Sequence, residues 1–371
     1  MKAMYRVVFC LAGMSGVVWG AAAEQPSAAV ANASVAAGVA TAGALTPNAQ
    51  NRHVLLDVVV TDHAGKPVAG LAQKDFAVLD NGQPSQAIYF HGQSGPKVEA
   101  GDSRTEVVLV VDELNTTYLT ASYELAEVKR FLGQNQGELA HPVSLAFLTD
   151  KGLEVQTVPS LDGNQIIAAL DAHEHAMRSS SVAPGTGLYG AQDLTRLSLD
   201  AMRTLVEKER QRTARKMVVW ISPGWPLLSG AHRNLTPGQM ETIYQSAVRL
   251  SADLREARMT MYSIDPMRGA SAGMRTMYYQ NFTKGLTDPH HAEVGDLGLQ
   301  VLATQSGGRA IFGNDSIMNT LNHTLEDLNA FYVVAIDAPV TEQPNTYHSV
   351  GIKLDAPGLS ARTRTGYYAQ P

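Results

Sequence analysis

The chain has 371 residues, 44% of them hydrophobic and 17% charged, which is enough for a sizeable core and, on length alone, about two domains. A formal net charge of −6 gives no electrostatic ground for nucleic acid or an anionic membrane as partner. Cys10 is the single cysteine, so a chain processed beyond it has no disulfides, no thiol catalysis and no cysteine-ligated zinc.

Lys2 and Arg6 precede the apolar run VVFCLAGMSGVVWG, which ends in Ala21-Ala22-Ala23. A charged start, an apolar middle shorter than a spanning helix and a small-residue exit predict a signal peptide over 1–23, cleaved after Ala23, with no membrane span afterwards. Loss of Lys2 and Arg6 takes the net charge from −6 to −8. The alternative is an uncleaved anchor. Residues 24–50 lack aromatics and carry scattered Pro, Gly, Ser and Asn among many alanines, the composition of a disordered tether.

Short strands with turn punctuation follow over 51–98. HVLLDVVVTD alternates and is β-branched, FAVLDNG and QAIYFHG are shorter, and Asn81-Gly82 is a hairpin signal. From about residue 99 to 328 the pattern becomes strand, helix, strand. VVLVVD, PVSLAFLTD, KMVVWISPG and RMTMYSIDP alternate with stretches such as YELAEVKRFLGQN and PGQMETIYQSAVRLSADLREA. In the last of these, Ile243, Ala247, Leu250 and Leu254 repeat at helical spacing, with Glu241, Arg249 and Arg255 on the other face. Near-continuous apolar strands alternating with amphipathic helices predict a doubly wound, mostly parallel sheet in the α/β class. Strands return over 329–371 with FYVVAID, HSVGIKLDAP and ARTRTGYYA. Their position predicts that they complete a small discontinuous β-sandwich with residues 51–98, the α/β domain being inserted between the two halves.

The ordered set KDFAVLDNG, VVLVVDELNT, PGTGLYGA, RKMVVWISPGWP, MYSIDPMRG, SGGRAIF, LEDLNAFYVVAI and PGLSARTRTGYY resembles the von Willebrand factor A (VWA) domain. More narrowly, it is similar to the VWFA-related type of exported protein frequent in acidobacteria, over about 320 residues. The resemblance implies a Rossmann-like α/β fold and a binding or adhesion role more than an enzymatic one. It also implies a Mg²⁺ site at the C-terminal strand ends, built from a D-x-S-x-S loop, a threonine and a later aspartate.

Here the first loop reads Asp112-Glu113-Leu114-Asn115-Thr116, the second keeps Gly185-Thr186, and the third offers Ser222-Pro223-Gly224 in place of the aspartate. Asp112, Thr116 and Thr186 are the candidate metal ligands of a degenerate site that binds Mg²⁺ weakly. The alternative, and the more favoured, is a hydrogen-bonded cluster of the same three residues that shapes the loops. Asn115 and Ser222 are substitute ligands or partner contacts.

His173-x-His175 and His290-His291 lack metal-motif spacing and read as solvated loop residues. Neither a G-x-S-x-G elbow nor a phosphate loop occurs. Trp225 is a partner anchor or a cap on the core. The stretch 267–293, with Met274, Met277, Tyr278, Tyr279 and Phe282, is a binding loop or a flap over its own sheet. The leading expectation is an exported, non-enzymatic protein that binds another, unidentified protein. A hydrolase of envelope polymers using Asp112 and Glu113, or a purely structural envelope component, are the rivals. Adjacent residues on a strand face opposite ways, which weakens that carboxylate pair.

Overall fold

A computed structural model describes residues 53–95, 105–155, 158–177, 188–226, 235–267, 277–313, 315–339 and 343–369. The expected signal peptide and tether, Thr186 and Met274 lie outside these residues.

The central sheet begins with β5 (Thr105–Asp112), β6 (Glu138–Thr149), β7 (Gly152–Val155) and β8 (Ser160–Asp162). It continues with β9 (Arg215–Ile221), β10 (Met259–Asp265) and β11 (Ala310–Phe312). Its main path runs β11-β10-β9-β5-β6-β7, with β8 also on β6. Pairs along β6-β5-β9-β10-β11 are parallel, while β7 and β8 join β6 antiparallel. Counted in chain order along the main path, the strands stand 3-2-1-4-5-6, the doubly wound order whose ligand crevice opens where the winding reverses. That switch point lies between β5 and β9.

Among the described residues six helices cover the sheet: α1 (Tyr118–Leu132), α2 (Gly163–Met177), α3 (Leu188–Arg210), α4 (Pro237–Glu256), α5 (Leu299–Gln305) and α6 (Ile317–Leu325). One face packs Val107, Leu109 and Val111 of β5 against Leu125 and Val128 of α1, Ile166 and Leu170 of α2, and Leu321 of α6. The opposite face packs Val108 and Val110 against Met202 and Leu205 of α3, Leu250 and Leu254 of α4, and Leu302 of α5. Strict alternation on a strand buried on both sides explains why β5 reads as an unbroken apolar run.

The remaining strands are β1 (His53–Thr61), β2 (Phe76–Asp80), β3 (Gln83–Ser85), β4 (Ala87–Ser94), β12 (Ala330–Asp337), β13 (Thr346–Leu354), β14 (Ser360–Arg362) and β15 (Gly366–Ala369). They form two sheets, β14-β1-β12-β4 and β15-β13-β2-β3, each mixing strands from both ends of the chain. Val54, Leu56, Val58 and Val60 of β1 share one core with Val78, Tyr332, Val334 and Tyr367, so the two sheets pack face to face. Asn81-Gly82 joins β2 to β3 with both residues at positive φ (49° and 78°), the tight hairpin that Asn-Gly favours.

The other face of β1 meets the α/β layer through charged groups. Arg215, at the start of β9 and 1% exposed, lies 3.0 Å from Asp57 of β1 and 4.2 Å over the ring of Phe331 of β12. Asp327, 0% exposed, is held by Tyr262 of β10 at 2.9 Å, by Arg309 at 3.0 and 3.1 Å, and by Arg362 of β14. Arg362 also donates to the carbonyl of Gly307 at 2.6 Å. Arg255, expected on the solvent face of α4, has a side chain only 14% exposed; the burial lowers its pKa.

Removing one member of a buried charge network leaves the others desolvated and unpaired. Asp327→Ala is therefore expected to lower unfolding free energy by about 3–5 kcal/mol, read as a lower urea midpoint with an unchanged m-value. A midpoint within error of wild type overturns the hub role.

Candidate functional site

β5 delivers Asp112 to the switch point with its carboxylate 0% exposed. The chain turns at once, and Asp112 caps the turn. Oδ1 accepts the amides of Leu114 (3.1 Å) and Asn115 (3.0 Å) and the Asn115 side-chain amide (3.1 Å). Oδ2 accepts the same Asn115 Nδ2 (2.9 Å), Ser222 Oγ (2.7 Å) and Trp220 Nε1 (3.4 Å). Asn115 Nδ2 also reaches Ser198 Oγ of α3 at 2.9 Å. Thr117 then caps α1, accepting the Thr120 amide. Burial pushes the Asp112 pKa up, and the bonds from Ser222, Asn115 and Trp220 pull it back.

A small divalent cation needs about six oxygen ligands with lone pairs turned toward it. Here both oxygens of Asp112 are occupied by N–H and O–H donors. Ser222 Oγ gives its proton to Asp112 and accepts the Gly224 amide at 3.0 Å. Thr116, 8% exposed, makes no hydrogen bond to Asp112. Asn115 Oδ1 is buried without a donor among the described residues and is the one oxygen of the cluster left over. A single amide oxygen does not make a Mg²⁺ site, so the described residues do not by themselves fit the ion. Among the described residues no group of three or more His, Cys, Asp or Glu side chains is arranged to hold a metal.

Among the described residues Asn115, Ser222 and Trp220 bond Asp112, and Ser198 bonds Asn115 in turn; Thr116 does not join them, and Thr186 lies outside the described residues. Asn115 and Ser222 point inward, which removes them as partner contacts.

Trp225 is also inward. It is 4% exposed and packs edge-on against Trp220 at 5.8 Å, in the same core as α3 and α4. Its loop is pressed onto α5: Gly224 holds φ at +99°, and a side chain there would strike the Gln300 amide. Trp225 therefore caps the core and is no rim anchor.

Glu113 faces the opposite side of the sheet, as strand alternation requires. It bonds His173 Nε2 of α2 at 2.9 Å, and His173 stacks on Phe147 at 3.6 Å between centroids. His173 is thus a packed helix residue and not a solvated loop histidine; His290 and His291 lie exposed in a short 3-10 turn. On that face Glu124 of α1 is 0% exposed, with neither carboxyl oxygen partnered among the described residues. Burial raises its pKa well above the ordinary 4.5, and Asp112, Glu113 and Asp265 add to the effect.

Tyr278 and Tyr279 are half-buried. Tyr279 lies 5.7 Å from the Phe312 ring at the end of β11, and Tyr278 packs on Phe282 at 5.1 Å. Their segment is tied down by Leu286 N to Tyr368 Oη (3.1 Å) and Gln305 Nε2 to the Phe282 carbonyl (3.1 Å). It is a docked flap with a concave outer side. Two residues with outward faces escape sequence reasoning: Tyr118 and Leu119, 56% and 79% exposed. Their signal was their place in the first turn of α1, just after the Thr117 cap.

Parts of this chain are similar to solved structures at low identity. The SpRpn10 VWA domain matches over 60% of this chain and 96% of its own, at 12% identity and TM-score 0.30. The human COPII-coat protein Sec24c matches over 72% of this chain and 44% of its own, at 10% identity and TM-score 0.31. The open conformation of the pilus adhesin SpaC from Lactobacillus rhamnosus GG matches over 85% of this chain and 47% of its own, at 11% identity and TM-score 0.38. No family model and no curated protein sequence matches the chain.

Asp112→Ala strands the Ser222, Asn115 and Trp220 donors in a dry site and is expected to cost about 2–4 kcal/mol, measured by urea unfolding. Glu124 must take up a proton to be buried, so its contribution to stability falls as pH rises above the ordinary 4.5. Glu124→Gln removes that requirement. Its melting temperature is expected to exceed wild type at pH 8, with the gap closing toward pH 4; a gap independent of pH contradicts the assignment.

Proposed function

We propose that this chain is an exported, non-enzymatic protein-binding module of von Willebrand A type whose switch-point site works without a metal ion. The observation that carries this reading is the saturation of Asp112. A carboxylate that in a metal-bridged site would face outward is here turned into the anchor of its own loop. Binding then falls to what surrounds the crevice: the exposed Tyr118-Leu119 step and the flap of Tyr278 and Tyr279. Tyrosine is among the residues that protein interfaces enrich.

Export rests on the charged and apolar pattern of residues 1–23. No helix among the described residues is long and apolar enough to cross a membrane. The hydrolase alternative needs two carboxylates facing each other across an open pocket. Asp112 and Glu113 instead engage Ser222 and His173 on opposite faces of the sheet, which favours the binding reading.

The test is calorimetric titration of Mg²⁺ and Mn²⁺ into residues 24–371. No saturable heat is expected for wild type, and none for Asp112→Asn. Stoichiometric binding by wild type that the variant loses overturns the metal-free reading.

A further inference from the structure

Between β10 and α5 the chain makes three short turns, Tyr279–Phe282, Pro289–His291 and Val294–Leu297. They enclose an open cavity of about 420 Å³ lined in part by Tyr278, Phe282, Lys284, His291, Glu293 and Asp296. Asp296 forms the floor at 4% exposure. Its Oδ2 accepts the Glu293 amide at 2.8 Å, and its second oxygen has no donor among the described residues. Tyr278 and Phe282 pair at 5.1 Å to make an aromatic wall. Tyr278 is close enough to both carboxylates that, after burial, Glu293 and Asp296 raise its phenol pKa.

Neither carboxylate has an ion-pair partner among the described residues, although Lys284 and His291 line the same cavity. A hollow walled by aromatic rings, whose two carboxylates are left unpaired by the one lysine beside them, is complementary to an organic cation. Carboxylates supply charge, and ring faces attract an ammonium or guanidinium. The volume suits a side chain better than a bare ion, and His291, Glu293 and Asp296 do not form a metal cluster.

We propose that this cavity receives a cationic side chain, lysine or arginine, of a partner protein, with Asp296 and Glu293 as its counter-charges and Tyr278 and Phe282 as its wall. The proposal deepens the binding reading above and rests on it for the partner. It does not rest on the state of Asp112.

The site is pH-dependent. Burial lifts the Asp296 pKa to about 6; the Glu293 amide pulls it down and the Glu293 carboxylate pushes it up. The other titratable groups facing it are Tyr278 on the preceding turn, Tyr368 of β15, and Lys284 and His291 in the cavity lining. Charge on Asp296 is lost as pH falls through about 6, and the attraction goes with it.

The experiment titrates Nα-acetyl-arginine amide and its neutral isostere, Nα-acetyl-citrulline amide, into the folded chain, followed by calorimetry or amide shifts. At pH 7.5 the arginine compound is expected to bind saturably and the citrulline compound not. Binding should weaken about tenfold at pH 5, because Asp296 is then mostly protonated. Glu293→Gln, on the exposed rim, is expected to weaken binding several-fold, and Asp296→Asn tenfold or more with loss of the pH step. Lys284→Ala should bind as well as wild type or better. Equal binding of the two compounds, no binding by folded wild type, or unchanged affinity in both carboxylate variants overturns the proposal. The metal titration would stand in each case.

Discussion

The site region depends on one buried carboxylate. Asp112 sits where β5 leaves the sheet between β6 and β9, a place where a chain that winds both ways must open a crevice. An ionised side chain there, at 0% exposure, is tolerable only with its oxygens satisfied. Five donor groups converge on it: the amides of Leu114 and Asn115, the Asn115 side chain, Trp220 and Ser222. Those donors belong to β5's own loop and to β9 and its loop, so one group fixes both lips of the crevice. Asn115 extends the lock to Ser198 of α3. Protein donors that converge on one carboxylate in this way make the crevice rigid.

That rigidity is passed outward by a second set of buried charges. Asp327 ties Tyr262 and Arg309 of the α/β layer to Arg362 of β14, and Arg215 of β9 rests against Asp57 and Phe331 of the flanking sheet. Ion pairs at such a joint add little net stability compared with apolar packing, but they demand one orientation. Loops carried by the α/β layer are thereby held against the strands built from both ends of the chain. Tyr368 of β15 reaches across to the Leu286 amide, so the sandwich strands also help position the flap.

Much of the architecture was legible because periodicity reports burial. β5, β9 and β10 read as apolar runs since both faces are covered, and Asn81-Gly82 announced its turn because few residue pairs accept two positive φ values. The short strands β7 and β8 escaped notice, being only half-buried or exposed along their length. The site was legible in part. Asp112 stood out at the end of its strand, with Asn115 and Ser222 as candidates beside it, but Trp220 and Ser198 did not. Ser198 lies 83 residues from Asn115, on the hidden face of a helix, and nothing in its local pattern marks it. Trp225 reads equally as anchor or core until the fold presses its loop down on Gln300.

The same reasoning explains why the acidic cavity lies after β10 and not at Asp112. A carboxylate that must anchor a loop is consumed by it, whereas Asp296 spends one oxygen on the Glu293 amide and keeps the other. It is held by a 3-10 turn packed under Phe282, where Gly295 leaves no room for a side chain between turn and ring. Burial without a full set of donors is what raises its pKa, and an incoming cation would relieve the same deficit. Asp112, Glu124 and Asp296 thus show three fates of a buried acid: Asp112 is satisfied by its own chain, Glu124 is held toward its protonated form, and Asp296 keeps one oxygen toward a cavity where a cation could meet it.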